Sequence, residues 1–431
     1  MSVVRNFLSH EKVEHAILWC YILSVALSPL GPVMHYSLWG ICFLFLCFNV
    51  IVNGAKLRIE ELSGEGKLIF LLIAALAFWT TIVSLFSISG VAHYGRNVTP
   101  IIEVLFGSYL AMRTLRDQGA RTLFIKIFVA ASVLIIVGNL FRLTHVIPFF
   151  PNRALKNGNA FGSLGLLVFP PVVCYAFWSL KNSYWKKLII VLPIVGGIVL
   201  SFSSGAWLSA FLGGLVFLYY AVRYEKLTFR FFIIALGVFV ACAGCIDLAT
   251  QGKMRQKLVA EFKQVQAIDD LDKFTTLRNQ VWSATWYMVK RRPLLGSGGK
   301  LFFNEYRKIA RRKRLAKRLG LTVKRDVDHP HSTYMYLLYL GGVPALFLYI
   351  ELMLLCLYRM IKLSKFEKND IYPWAVSILV LLIEILTYGT NGDILQGRRD
   401  ISVMVWCFLG LAAVLPERKS KEFNLHEDVK E

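Results

Sequence analysis

The stretch Asp328-His329-Pro330-His331-Ser332-Thr333 runs without a break into the apolar run Tyr334–Tyr358, and so joins the one long polar segment of the chain, Thr250–Thr333, to a helix of membrane length. Between those limits Lys and Arg number 20 against 7 Asp and Glu, a net of +13 out of the chain's +22. Everything outside this segment is dominated by apolar runs. With 431 residues, 56% of them hydrophobic, and a mean hydropathy of +0.55, the chain is too apolar for a soluble protein of its size. A bilayer core of about 30 Å takes about 20 apolar residues per helix, and runs of that order recur from end to end. The fold class expected is all-α: a polytopic integral membrane protein with about twelve spans and one large helical loop.

The expected spans are 16–33, 36–53, 68–89, 98–112, 123–141, 159–178, 188–203, 205–222, 231–249, 334–358, 372–390 and 400–415. They divide the chain into nine spans within 1–249, the basic loop 250–333, three further spans within 334–415 and a tail, 416–431. With the N-terminus inside, the segments 1–15, 54–67, 113–122, 179–187, 223–230, 359–371 and 416–431 carry 22 Lys and Arg, whereas the short loops 90–97, 142–158 and 391–399 carry 6. That asymmetry puts both termini in the cytoplasm and the long loop outside. All eight cysteines fall in apolar spans, which argues against a disulfide framework or a thiolate metal site. A nucleic-acid partner is not expected in a chain made almost wholly of membrane helix. Anionic lipid and phosphorylated glycolipid are the partners that the charge fits.

Within the loop, Thr275-Thr276 and Pro293 bracket a helix of about four turns. Arg278 shares a face with Val281, Trp282, Thr285 and Val289, so a guanidinium lies on an apolar stripe and needs either an anion or a route to water. Pro293–Gly299 is a glycine-rich turn without the Lys-Ser/Thr ending of a nucleotide-binding loop. Residues 302–319 form an imperfect amphipathic helix, Phe302, Tyr306 and Ile309 against a basic face, expected in the membrane interface. Asp326-Val327-Asp328 has the Asp-x-Asp form of many metal-dependent glycosyltransferases, although two aspartates so spaced also occur by chance; no metal and no cofactor is expected.

His329 and His331 are sharper. Pro330 disfavours helix at His329, while Ser332 or Thr333 can cap the following span. His331 then stands at the positive end of a long helix, where the dipole disfavours imidazolium. A neutral imidazole can take a proton from an attacking hydroxyl, the task of a general base. A structural histidine is the bland alternative. Four carboxylates, Glu103, Asp247, Glu351 and Glu384, lie in or near spans, each either functional or an interhelical partner. Spans seven and eight join at Ser201–Gly205 as a tight hairpin or a broken helix.

Thr276-Leu-Arg278-Asn-Gln-Val-Trp282, then Arg292-Pro-Leu-Leu-Gly-Ser-Gly298, His331-Ser-Thr-Tyr-Met-Tyr-Leu337 and Leu340-Gly-Gly-Val-Pro344, in this order around a large external loop, resemble the O-antigen ligase and polymerase superfamily. The resemblance runs from near Asn152 to Trp406. It implies a GT-C-like glycosyltransferase of the bacterial inner membrane with its site facing the periplasm. Such an enzyme moves a glycan from undecaprenyl pyrophosphate to a sugar of the lipid A core, in lipopolysaccharide biosynthesis, without a metal and with inversion. It also implies His331 as base, Arg278 as a pyrophosphate ligand, and Asp393 and Arg399 of Gly392-Asp393-Ile-Leu-Gln-Gly-Arg398-Arg399 as a ligase-like pair. His329 joins the expected substrate-binding set. One departure stands out: where many members carry an arginine after the serine that opens the eighth span, this chain has Ser203-Ser204-Gly205-Ala206. Arg96, Arg142 or Arg153 is expected to take its place. A polymerase of the same superfamily, or a transporter of lipid-linked glycans, is the rival function.

Overall fold

The computed structural model describes residues 9–56, 59–85, 102–143, 158–180, 184–225, 251–267, 269–298, 302–322, 327–365, 371–394 and 399–416, with isolated positions between 237 and 248. The described residues are helical throughout, with no strand. Ahead of the basic loop come α1 (His10–Ala26), α2 (Pro32–Asn53), α3 (Gly64–Leu85), α4 (Gly107–Thr114), α5 (Gln118–Leu143), α6 (Gly158–Trp178), α7 (Tyr184–Leu200) and α8 (Ser204–Glu225). The loop holds α9 (Lys253–Gln266), α10 (Arg278–Arg291), α11 (Phe302–Arg311) and α12 (Lys313–Arg318). It is followed by α13 (Thr333–Leu363), α14 (Tyr372–Tyr388) and α15 (Arg399–Val414).

Eleven of the expected spans coincide with described helix, and the twelfth, 231–249, lies almost wholly outside the described residues. Among the described residues, six helices are long and apolar enough to cross a membrane, and α14 and residues 401–414 are shorter apolar helices. Large apolar side chains face outward along them, among them Phe43, Leu44, Leu71, Phe78, Leu134, Ile189, Phe211 and Leu354. Such a belt is the surface of a polytopic membrane protein. The centre is α15, buried on all sides from Ile401 to Leu415. The span expected at 98–112 is not one continuous α-helix: residues Ile102–Phe106 form a π-helical turn before α4. That turn brings Glu103 to the Tyr36 hydroxyl and to Ser402 Oγ at 3.3 Å, so this carboxylate is an interhelical partner.

Charged residues from several helices converge at the end of the bundle away from the basic loop. Arg359 is fully buried, and donates to Ala412 O at 2.9 Å, Leu415 O at 2.6 Å and Glu65 at 3.0 Å. Lys362 also reaches Glu65, at 2.8 Å. Arg113 pairs with Glu14 and Arg116 with Glu61 at the same end.

The helix that enters the site is bent for a definite reason. A straight helix of 31 residues, the length of α13, would be about 46 Å long. Its start meets Gly389 at the end of α14, where Thr333 N–H donates to Gly389 O at 2.8 Å, and its end meets Tyr220, which also touches the first residue of α14. Since α14 has only 17 residues, about 26 Å, α13 cannot run straight between those points. It breaks at Gly342 (φ 69°, ψ −166°), a conformation essentially restricted to glycine. The Pro293–Gly298 turn takes over the hydrogen bonds lost there. Pro344 has no N–H for Leu340 O, and Gly298 N–H supplies one at 3.0 Å. Ser297 N–H donates to Tyr339 O at 2.7 Å, Val343 N–H turns to Pro293 O at 2.8 Å, and the Trp79 indole caps Gly341 O at 2.7 Å. The glycine-rich turn ends α10 and is also a plug for broken backbone, a role that its sequence did not suggest.

Candidate active site

α10 starts two residues later than Thr275-Thr276 suggests, because Thr276 and Leu277 have positive φ. Thr275 Oγ1 accepts from Asn279 N–H at 3.2 Å and steadies this start. Val281, Thr285 and Val289 are buried along the expected stripe, and Trp282 is half-buried. Trp282 reaches across the loop, its indole N–H donating to Pro330 O at 3.0 Å. This bond ties α10 to the turn carrying both histidines, one helical turn from Arg278.

That turn is set by strained backbone. His331 has φ 55°, the left-handed region that L-residues seldom occupy. Its N–H donates to His329 Nδ1 at 3.0 Å, and the two imidazoles pack edge to face with centroids 4.1 Å apart. His329 Nε2 lies 3.6 Å from Asp328. Ser332 is the N-cap of α13, accepting from Met335 N–H, and its hydroxyl donates to Gly389 O at 3.1 Å. Thr333 donates from both N–H and hydroxyl to Gly392 O, beside the buried Asp393. The segment 389–393 thus clamps the histidine turn onto the end of α14.

The His331 pKa falls to about 4, first because the half-buried ring is desolvated, then because His329 and Arg278 oppose its charge, with Asp328 acting in the other direction. The helix dipole invoked from the sequence is not needed, since desolvation is the main cause. Arg278 is lowered from the usual arginine value by burial and stays charged at neutral pH.

Arg278 donates to Asn391 Oδ1 at 3.0 Å, over 113 residues of sequence. Both line a polar cleft of about 200 Å³ with Asn159, Ser203, Ser204, Lys257, Glu261 and Tyr388. Tyr388 donates to Asn159 O at 3.3 Å and accepts from Ser163 at 2.9 Å. The missing arginine after Ser204 is therefore faced by two cations of the loop, Arg278 and Lys257, the latter paired with Glu261. Sequence reasoning passed over Lys257, Asn391 and Tyr388. Only Lys257 carried a signal, as one of the cations of an amphipathic α9. Of the expected substitutes, Arg96 and Arg153 lie outside the described residues, and Arg142 falls in the last turn of α5. Arg399 is the first residue of α15. Ser201–Ser203, with Phe202 at φ 50°, is a short turn between two separate helices, α7 and α8.

Asp328, His329 and His331 bring one donor atom each within 4.8 Å of one another, close enough to share a metal ion. Asp326, the other half of the Asp-x-Asp, lies outside the described residues.

A family model described as O-antigen ligase matches residues 188–350. Over these residues, less than half of its length, the chain is similar to the O-antigen ligase family. The match runs from α7 into α13 and takes in Lys257, Arg278, His329, His331 and the Gly342 break. A search of curated proteins gives no match. The family match joins a polytopic membrane fold, and the described site falls largely within the matched residues.

Proposed function

We propose that this protein is an O-antigen ligase, moving a glycan from undecaprenyl pyrophosphate to a hydroxyl of the lipid A core at the periplasmic face of the inner membrane. The observation that carries this reading is the coupling of a half-buried, neutral His331 to Arg278, which lines the polar cleft and is fixed by Asn391. Arg278 and Lys257 hold the donor pyrophosphate, and Arg399, Arg142 or Arg153 adds further charge. Asp393 and His329 act as positioning residues, His329 through its bond to the His331 backbone. His331 Nε2 or Nδ1 takes the proton of the acceptor hydroxyl as that oxygen bonds to the anomeric carbon. The bond from that carbon to the pyrophosphate oxygen breaks, and the configuration inverts. Pyrophosphate is a good leaving group, so preorganised cations and alignment carry the reaction without a metal. The incoming pyrophosphate raises the His331 pKa from its low value, and so strengthens the base when the donor is present.

The test is reconstitution of purified protein in detergent with a polyprenyl-pyrophosphate glycan and lipid A core, with chelator present. Glycan on lipid A core from wild type, falling at least about 100-fold in His331→Ala, is the expected outcome. Longer glycan still on the carrier would make it a polymerase. Loss of transfer on chelation would assign the Asp328, His329 and His331 donors to a metal, and an unaffected His331→Ala would remove the base.

A further inference from the structure

The reaction cleft lies at the start of α10. At the other end of this helix, which has 14 residues and is about 20 Å long, a second and larger cavity opens, about 530 Å³, between α10, the Pro293–Gly298 turn and α11. Six cations line it: Arg291, Arg292, Arg307, Lys308, Arg311 and Arg312, against the single carboxylate of Glu305. Among the described residues, Arg292, Lys308, Arg311 and Arg312 form no ion pair, even though Glu305 lies three residues from Lys308 on the same helix. Arg291 stacks on Tyr287 with its guanidinium 4.6 Å from the ring centroid, which leaves its edge to donate. The floor is apolar, with Met288 and Ile309 both buried.

The helix bearing these charges is not turned apolar-side-out, as the sequence suggests. Phe302, Tyr306 and Ile309 pack on Val281, Ala284, Met288 and Tyr339, and so close a small core within the loop. Its basic face is therefore presented away from that core. The chain also breaks at Arg312 between α11 and α12, so that Arg311 and Arg312 both line the mouth. Ser297, at the back of the cavity, is bonded to Tyr339 beside the α13 break. Beyond that break, residues 343–363 make a segment of about 31 Å, the thickness of the hydrocarbon core. The cavity thus lies beside the α13 break, at the loop-side end of a segment long enough to cross the hydrocarbon core.

We infer that this cavity binds phosphomonoester groups on the head group of a glycolipid, and so anchors the acceptor about 20 Å from the arginine that holds the donor. Arginine forks match phosphate oxygens in pairs, and phosphomonoesters carry more charge than the diesters of ordinary phospholipids, which suits six cations sharing one carboxylate. The apolar floor accepts the sugar faces between the phosphates. The identity of the glycolipid as acceptor rests on the ligase reading, while the binding chemistry does not.

The experiment is equilibrium binding of a bisphosphorylated glucosamine-disaccharide lipid to the full chain in uncharged detergent, with no donor present. The proteins compared are wild type, Arg292→Gln/Arg311→Gln/Arg312→Gln, the corresponding triple lysine variant, and His331→Ala. Binding is expected to weaken at least tenfold in the glutamine variant, to be largely kept in the lysine variant, and to be unchanged in His331→Ala. The same lipid stripped of its phosphates is expected to bind wild type as weakly as the phosphorylated lipid binds the glutamine variant. Equal binding by wild type and glutamine variant would overturn the site. Displacement by phosphatidylglycerol at equal concentration would overturn the glycolipid assignment and leave a plain membrane anchor. Intact binding by a wild type that transfers no glycan would instead count against the ligase reading, and leave this site standing.

Discussion

His331 combines a left-handed backbone, a half-buried ring and two neighbours that oppose its charge. Desolvation and the two charges act on the same proton. With the pKa lowered from 6.5 to about 4, the ring is neutral at all pH values above that point. Activity that needs the neutral ring should therefore be lost as pH falls through about 4 in kcat/KM, which reports free enzyme, and not through 6.5. In kcat the same limb should lie higher, because bound pyrophosphate favours the imidazolium. Arg278→Ala should raise the limb in kcat/KM, since it removes a positive charge that holds the pKa down, and should also raise KM for the donor. Arg278→Lys should recover the limb better than the donor affinity, because an ammonium supplies charge without the fork that reaches Asn391. A pH–rate profile of the three proteins checks all of this, and a limb at 6.5 in wild type would exclude His331 as the group observed.

The break in α13 and the turn that fills it behave as one element. Neither is complete alone: α13 would leave carbonyls of Tyr339, Leu340 and Gly341 without donors, and the turn would have no partners for its N–H groups. Gly342→Ala forces a residue with a Cβ into a glycine-only conformation and drives that atom against the Leu294 carbonyl. The strain alone is about 1–3 kcal/mol. Gly296 is equally hemmed in, a Cβ there lying 2.7 Å from Gly342 N and Tyr339 O. Gly342→Ala should therefore undock residues 293–298 and expose the Arg291–Arg292 bond to trypsin faster than in wild type. Its melting temperature in detergent should fall with it. An unchanged digestion rate would show that the turn is not held by α13.

Across the molecule, the bundle is fastened at two ends by different chemistry. The loop end is held by backbone and hydroxyl bonds around Ser332, Gly389 and Gly392. The far end is held by charge, with Arg359 joining α3, α13 and α15 through Glu65 and two carbonyls. Arg359→Met should leave these acceptors buried without a donor and cost about 3 kcal/mol, Lys362 retaining part of the Glu65 interaction. Thermal unfolding in detergent should show it as a lowered midpoint. The His331 pH limb should be unchanged, because that turn lies at the opposite end.

The sequence by itself determined the class of the protein, most of its helices, and the stretch in which its chemistry is proposed. Those features depend on composition and on local periods of hydrophobicity, and each residue contributes to them regardless of its distant neighbours. It also picked out Arg278 and His331, because a guanidinium on an apolar stripe and a histidine before a capped helix are local anomalies. The tertiary structure alone decided what they meet. Asn391 comes to Arg278 from 113 residues away, Lys257 faces the Ser204 turn that lacks its arginine, and the 293–298 turn closes a break 45 or so residues further on. It also turned the basic helix, burying Phe302, Tyr306 and Ile309 against α10 and Tyr339, where amphipathicity pointed to the membrane interface. A hydrophobic stripe specifies that a face will be buried, but the partner is chosen by packing and by which backbone groups remain unsatisfied. Neither of those is written in any one segment of the chain.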